Sequence, residues 1–133
     1  ERLIGDAAAL AEGATNETSA ADLATTMLAA VRPVPVVPRG AREPLFAAVS
    51  RELARDVLGA QQIPVIATAL RDGARWGSKS GWVDGYRHDV AFLGDPDGAA
   101  VRVLAVMTAG MAPAEADRRI TGLVRTLLPD LTA

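Results

Sequence analysis

The chain contains a single lysine, Lys79, within the stretch WGSKSGW that runs from Trp76 to Trp82. The other thirteen basic residues are arginines. Lysine differs from arginine because its ammonium group is a compact charge that can give up or share a proton. Ser80 adds a hydroxyl group that can bind a carboxylate, and Gly81 lets a ligand backbone lie close to a strand edge. The K-S-G triplet therefore fits a site for an extended acylated peptide, or for a mimic of one.

The same lysine lies in a segment that nearly matches the phosphate-binding P-loop pattern, G-x-x-x-x-G-K-[ST]. Residues 73–80 read GARWGSKS, with Ser78 where the second glycine belongs. That glycine lets the backbone curl around phosphates, and the motif must open into a helix. The residues that follow, GWVDGYRHDV, have a strand pattern instead. The sequence therefore argues against a nucleotide site.

His88 is the only histidine, and the chain has no cysteine. A multi-histidine or thiolate metal site is therefore excluded within this chain, and so are disulfide bonds. Asp89 follows His88 directly, but neighbouring strand residues point to opposite faces and would not chelate one ion together. Spacing alone leaves a Ser/His/Asp triad open, although no G-x-S-x-G elbow presents a serine. The simpler interpretation is a strand histidine that makes ordinary hydrogen bonds.

Length and composition fit one domain with a sizeable apolar core. The chain has 133 residues, of which 50% are hydrophobic and only 4% aromatic. Its net charge of −2 gives no basic face for nucleic acid, and no apolar stretch is long enough to span a bilayer. The sequence opens without methionine, in what reads as the middle of a domain. We therefore expect a longer parent protein, and the compartment stays open.

Two amphipathic helices are predicted in the first half of the chain. Ser19 and Asp22 form an S-x-x-D capping box before a helix over residues 20–31. A second helix is predicted over residues 44–58, because Pro44 suits a first turn and the apolar positions after it recur at helical spacing.

Prolines interrupt the chain before and after this second helix. Residues 35–38 read PVVP, formally a PxxP ligand pattern, although a connection between two helices is the simpler interpretation. Pro64 leaves room for only a short helix before the turn at Asp72-Gly73.

After this turn the pattern changes to strands. Residues 75–83, 87–94 and 99–109 are three extended candidates with short connections, which predicts an antiparallel meander. The run VAFLG is continuously apolar and indicates a strand that is covered on both faces. We expect the last helix to cover one face of the sheet and the first two helices to cover the other.

A C-terminal helix is predicted between Pro113 at its start and Pro129 after its end. Its predicted apolar stripe consists of Ile120, Leu123, Val124, Leu127 and Leu128. The order of helices, three antiparallel strands and a final helix is an α+β arrangement. We expect a single domain, with a helical part over residues 1–72 and the sheet with its helix over residues 73–133.

From residue 16 onward, these segments resemble the serine β-lactamase and penicillin-binding-protein superfamily, and most closely the class A-like β-lactamases. NETSAADLATTML resembles the T-T-x-x-x-M-A helix after the omega loop. LRDGARWGSKSG resembles the approach to the K-[ST]-G strand, with Arg71 in place of the usual proline. GYRHDVAFLGDPDGAAVRVLAVMT resembles the next two strands. The resemblance implies the C-terminal half of a β-lactamase-like α/β sandwich.

The resemblance also implies roles for individual residues. Lys79, Ser80 and Gly81 match the K-[ST]-G triplet, in which the lysine contributes to the electrostatics of the site and Ser80 binds the substrate carboxylate. The backbone N–H of Trp82 falls where the family has an oxyanion-hole donor. Arg87 matches an arginine that pairs with the substrate carboxylate in some class A enzymes, although a solvated arginine at a strand end is an equally open interpretation. No metal and no cofactor are implied.

The chain lacks other parts of the family pattern. The nucleophile motif S-x-x-K cannot occur, because the residue three positions before the only lysine, Lys79, is Trp76. The partner motif S-D-N is also absent from the sequence. The omega-loop region, residues 1–15, lacks E-x-x-L-N, and none of its acids, Glu1, Asp6 or Glu12, aligns securely. We therefore expect this chain alone to be inactive.

Two functions remain open for the parent protein. The first is hydrolysis of β-lactams through an acyl-serine, with the nucleophile on a missing N-terminal half or on another copy of the chain. The alternative is a degenerate penicillin-binding-like module that binds peptidoglycan peptides or a protein partner without turnover. The family implies a secreted, periplasmic or cell-envelope location. Because the family sheet has two further strands, we expect the isolated chain to be unstable or to associate.

Overall fold

The computed structural model describes residues 8, 11–12, 18–31, 64–95 and 98–133. In these ranges the chain forms helix α1 (Ala20–Val31), a 3₁₀ helix (Ile66–Ala69), strands β1 (Trp76–Val83), β2 (Tyr86–Leu93) and β3 (Arg102–Ala109), and helix α2 (Pro113–Leu127). The predicted α+β order is confirmed. The second predicted helix and the PVVP segment lie outside the described residues.

The three strands form an antiparallel sheet in the order β1-β2-β3, as predicted. Val83 pairs with Tyr86, so only Asp84 and Gly85 connect β1 to β2. Gly85 has a φ of +75°, a conformation that glycine adopts without a steric penalty. At the other end of the sheet, the Gly98 N–H donates to the carbonyl oxygen of Asp95 at 2.9 Å. This bond joins the first and last residues of the DPDG sequence.

Helix α1 begins with the predicted capping box. The Asp22 N–H donates to Ser19 Oγ at 3.1 Å, and the Ser19 N–H donates to Asp22 Oδ2 at 3.2 Å. Such a cap stabilises a helix by about 1 kcal/mol. Met27 and Val31, one turn apart, are the buried residues of α1. The capping box and the apolar spacing together fix where α1 starts and which side faces the sheet.

Two apolar clusters lie on opposite faces of the sheet. On one face, Val90 and Phe92 of β2 belong to a cluster with Met27 and Val31 of α1. On the other face, the neighbouring β2 residues pack with α2 and the 3₁₀ helix, in a cluster of Val65, Ile66, Ala69, Ala91, Leu93, Val106, Ile120 and Val124. Strand β2 is thus covered on both faces, as the VAFLG run predicts.

The predicted apolar stripe of α2 is wrong in two positions. Ile120 and Val124 are fully buried, with Ala116 one turn before them. Leu123 and Leu127 are 46% and 57% exposed. Residues spaced by four follow one side of a helix, so the 116-120-124 series faces the sheet and the two leucines lie beside it. None of the helices in the described ranges is long and apolar enough to cross a membrane.

Candidate functional site

The K-S-G triplet lies in the middle of β1, which is an edge strand in the described part of the sheet. Lys79 pairs with Val90 and shares the face that packs against α1, while Ser80 pairs with Asp89 on the face toward α2. The Lys79 side chain is exposed, and its Nζ donates to the carbonyl oxygen of Ser80. The lysine and serine functions are therefore presented on opposite faces of one strand edge.

The hydroxyl of Ser80 contacts a carboxylate inside the protein. Ser80 is 6% exposed, and its Oγ donates to Asp89 Oδ1 at 3.3 Å. This is a long hydrogen bond for a hydroxyl donor, since such bonds normally measure 2.5–3.0 Å. Ser80 therefore contacts Asp89 on the face of the sheet that packs against α2.

Asp89 is the buried acid at the centre of this face, with no exposed surface. Its Oδ2 accepts the N–H of Ile66, at the start of the 3₁₀ helix, at 2.8 Å. Burial raises the pKa of Asp89 to about 6, because desolvation disfavours the carboxylate more than its hydrogen bonds to Ile66, Ser80 and the backbone favour it. Alternation along a strand predicts that Asp89 points away from His88, but no sequence motif assigns a role to Asp89. In the sequence, the feature that could have identified Asp89 is its position directly before the apolar run VAFLG.

Gly81 and Trp82 leave open space beside the strand edge. A Cβ added at Gly81 would meet no atom within 4 Å, and Gly81 has no positive φ that would require glycine. The fold of this chain therefore does not need a glycine here. Trp82 is 45% exposed. A ligand backbone can lie along β1 in this open space. The oxyanion role of the Trp82 N–H stays a prediction.

Arg87 of β2 is held by α2. Its Nε donates to Asp117 Oδ1 at 2.6 Å and its Nη2 donates to Asp117 Oδ2 at 3.0 Å. The Arg87 side chain is only 11% exposed. It is therefore not a solvated arginine at a strand end. Arg87 pairs with Trp82 across the sheet, so its side chain shares the α2 face with Ser80. No local sequence pattern predicts the Arg87–Asp117 pair, because the two residues are 30 positions apart.

His88 accepts an ordinary hydrogen bond on the α1 face. Its Nδ1 accepts the N–H of Thr108 at 3.3 Å, and its ring lies edge-on to Tyr86 with centroids 6.1 Å apart. Asp89 reaches partners on the other face. The prediction that His88 and Asp89 point in opposite directions is confirmed. In the described ranges, no group of three or more acidic or histidine side chains could hold a metal ion.

The P-loop alternative is excluded by the local structure. The residues that would have to continue into a helix, from Gly81 onward, complete strand β1 and enter strand β2. Ser78, in place of the second glycine, is buried at 7% exposure and pairs with Ala91 in the sheet. No phosphate-binding loop can form around Lys79 in this arrangement.

Solved structures give the fold a wider context. A β-lactamase from Xanthomonas campestris pv. campestris has a TM-score of 0.65 and 22% identity, over 86% of this chain and 40% of its own. A variant of the last common ancestor of Gram-negative bacteria β-lactamase class A has a TM-score of 0.58 and 20% identity, over 84% and 38%. A class A β-lactamase from Mycobacterium abscessus has a TM-score of 0.56 and 20% identity, over 83% and 40%.

These similarities establish the fold, and the chain spans about two fifths of the length of each of these proteins. Comparison with curated proteins gives no match. A family model described as "Beta-lactamase enzyme family" matches residues 1–129, which is nearly the whole chain. The protein therefore belongs to the β-lactamase enzyme family.

Proposed function

We propose that this chain is the C-terminal half of the catalytic domain of a class A-like serine β-lactamase. The parent reaction is acylation of a serine by a β-lactam, followed by hydrolysis of the acyl-enzyme. The observation that carries the proposal is the K-S-G triplet on an edge strand with open space at Gly81. Membership in the β-lactamase family and the fold similarity to class A enzymes support it.

The functional groups of β1 lie on both faces of the sheet and have different roles in the proposed reaction. Lys79 supplies a positive charge on the α1 face, beside the place where the acyl-serine would form. Ser80 donates a hydrogen bond to the substrate carboxylate, and the Trp82 N–H stabilises the oxyanion of the tetrahedral intermediate. An edge strand suits this task because its free backbone groups and its glycine accept an extended ligand.

Arg87 contributes a guanidinium fork to the carboxylate end of the site. Its side chain lies on the same face as Ser80, and Asp117 fixes its Nε and Nη2 by two hydrogen bonds. Asp117 compensates the positive charge of Arg87, whose burial without a partner would be energetically unfavourable. In this proposal the substrate carboxylate approaches from the strand edge and accepts from the guanidinium N–H groups that Asp117 does not engage.

The nucleophile must come from outside these 133 residues. Neither S-x-x-K nor S-D-N occurs in the chain, so the 133 residues by themselves are expected to be inactive. In the complete enzyme, an N-terminal half, or a partner chain that carries S-x-x-K, supplies the serine. In this proposal the chain is a single partial domain, with a helical part (1–72) and a sheet with its C-terminal helix (73–133). The parent protein acts in the cell envelope or outside the cell.

A second candidate function is binding without turnover. The omega-loop region lacks the E-x-x-L-N sequence that supplies the deacylating glutamate in the family. A parent protein without that base would bind peptidoglycan peptides or a protein partner, or form an acyl-enzyme that persists. It would then work as a penicillin-binding-like module and would not confer resistance by hydrolysis.

One experiment separates these functions. The complete protein is incubated with a chromogenic cephalosporin, and its intact mass is measured after exposure to penicillin. Turnover of the cephalosporin supports the β-lactamase, and a stable penicillin adduct without turnover supports the binding module. The absence of any adduct would overturn the enzyme proposal. A Ser80→Ala variant is the matched control, because it removes one hydroxyl from the carboxylate end and leaves Lys79 in place.

A further inference from the structure

A cavity of about 530 Å³ opens at the end of the sheet away from the β1–β2 connection. It lies between the turn that leads into β1, the residues that end β2 and the segment that follows α2. Trp76 is the first residue of β1 and Lys79 lies three residues further, so roughly 10 Å of strand separates this end of β1 from the lysine. None of the residues that the proposed function uses lines the cavity, whose volume is typical of a small-molecule site.

The wall of the cavity contains three residues with little or no side chain, Gly73, Ala74 and Gly94. Gly73 has a φ of +78°, and a Cβ added there would meet no atom within 4 Å. The Gly94 N–H donates to the carbonyl oxygen of Arg75 at 2.8 Å, and the Ala74 N–H donates to that of Arg71 at 3.3 Å. Backbone hydrogen bonds therefore hold the wall in place without help from a ligand.

Three leucines give the cavity its apolar surface. Leu93 is 1% exposed and belongs to the core cluster on the α2 face, and Leu70 and Leu131 pack against that cluster. Leu70 pairs with Thr132 in an isolated bridge, which ties the C-terminal segment to the turn before β1. The cavity can therefore accept an aliphatic side chain at the outer edge of the core.

Four charged residues, Arg71, Asp72, Arg75 and Asp95, line the same cavity, and their formal charges cancel. Arg75 Nη1 and Asp95 Oδ1 form an ion pair at 3.2 Å. Arg71 and Asp72 are exposed, and within the described ranges neither forms a side-chain hydrogen bond or an ion pair. One guanidinium group and one carboxylate at neighbouring positions are thus available to a ligand.

Asp130 does not engage the Arg71 guanidinium, although the two groups interact electrostatically. Arg102 contacts both oxygens of the Asp130 carboxylate, each at 2.8 Å. The N–H groups of Arg71 therefore remain as donors at the cavity, in the forked arrangement that suits a carboxylate.

We propose that this cavity binds a small zwitterion with an apolar side chain, such as an aliphatic α-amino acid. The ligand carboxylate accepts from Arg71, the ligand ammonium group donates to Asp72, and the side chain packs on the leucines. A ligand with only one charge would be attracted by one of these two residues and repelled by the other. The site is separate from the K-S-G edge, so the inference goes beyond the proposed function.

The test is an NMR titration of the complete protein with leucine at pH 7. Three related compounds each lack one feature: N-acetylleucine lacks the ammonium group, leucinamide lacks the carboxylate, and glycine lacks the apolar side chain. We expect leucine to shift the amide signals of residues 70–75 and 93–95, with a Kd on the order of 1 mM. Each related compound should bind at least about threefold more weakly, because it loses one of the three contacts.

Two substitutions assign the charged contacts. In Arg71→Gln the advantage of leucine over leucinamide should disappear, and in Asp72→Asn the advantage of leucine over N-acetylleucine should disappear. Arg118→Gln is the matched control, because Arg118 is an exposed arginine of α2 outside the cavity, and it should bind leucine like the wild type.

A titration that leaves the signals of the cavity residues unchanged would overturn the inference. So would equal binding of leucine and its charge-blocked analogues, or variants that keep the selectivity of the wild type. Since penicillin plays no part in this titration, each of these results leaves the proposed function to its own test.

Discussion

Neutralising Asp89 should stabilise the protein at neutral pH, although the residue is fully buried and hydrogen-bonded. Its pKa in the folded protein is about 6, and its ordinary value is 3.8. Two pKa units correspond to about 3 kcal/mol of difference between the protonation states. The folded protein therefore favours the neutral carboxyl group over the carboxylate by about that amount, relative to the unfolded chain.

The pH window follows from the direction of this shift. Below about pH 4, Asp89 is protonated in the folded and unfolded states, and its contribution to stability is greatest. Between about pH 4 and pH 6 the unfolded chain loses its proton first, so the free energy of unfolding falls by about 3 kcal/mol. Above about pH 6 both states are ionised and this loss is complete. Asp89→Asn imitates the neutral form and should escape the loss.

The assay is urea unfolding of the complete protein, with wild type and Asp89→Asn compared at each pH from about 4.5 to 8. We expect their stabilities to approach each other at the acid end and the variant to be more stable, by up to about 3 kcal/mol, at pH 8. Asp130→Asn is a control for which the opposite change in stability is expected. The hydrogen bond from Arg102 lowers the pKa of the exposed Asp130, so the folded protein favours the carboxylate there. A variant less stable than the wild type by the same amount at every pH would refute the reasoning.

Four further outcomes test the site and the fold. Lys79→Arg should lower kcat/KM of the complete enzyme by at least about tenfold despite keeping the charge, since guanidinium cannot replace a compact ammonium; unchanged steady-state kinetics would show a surface lysine. Gly81→Ala should change stability by less than about 0.5 kcal/mol, because the added Cβ meets open space, while it raises the KM for penicillin. Asp117→Asn should cost about 1–2 kcal/mol in urea unfolding, since Arg87 loses a charged acceptor, and should weaken binding of the penicillin acid more than of its ester. The 133-residue chain produced alone should associate in sedimentation; a monomer with a cooperative melt would contradict this.

Local chemistry made much of the fold predictable from the sequence. A capping box, helical spacing of apolar residues, turn sequences and a continuous apolar run each act over a few neighbouring residues. They placed α1, the three strands and α2 close to their observed bounds. They also placed Lys79 and Ser80 on an edge strand, and alternation along a strand assigned His88 and Asp89 to opposite faces.

Only the tertiary structure decided which buried charges meet. Arg87 and Asp117 are 30 residues apart, and Ile66 and Asp89 are 23 apart, so no local period connects them. Their pairing depends on how the last helix and the 3₁₀ helix pack on one face of the sheet. The exposure of Leu123 and Leu127 has the same origin, because the rotation of α2 against its neighbours selects the buried stripe. The sequence by itself determined the helices, the strands and the position of K-S-G on an edge strand. Packing decided the partners of the charged groups, because a buried charge requires a partner that only the assembled layers bring within reach.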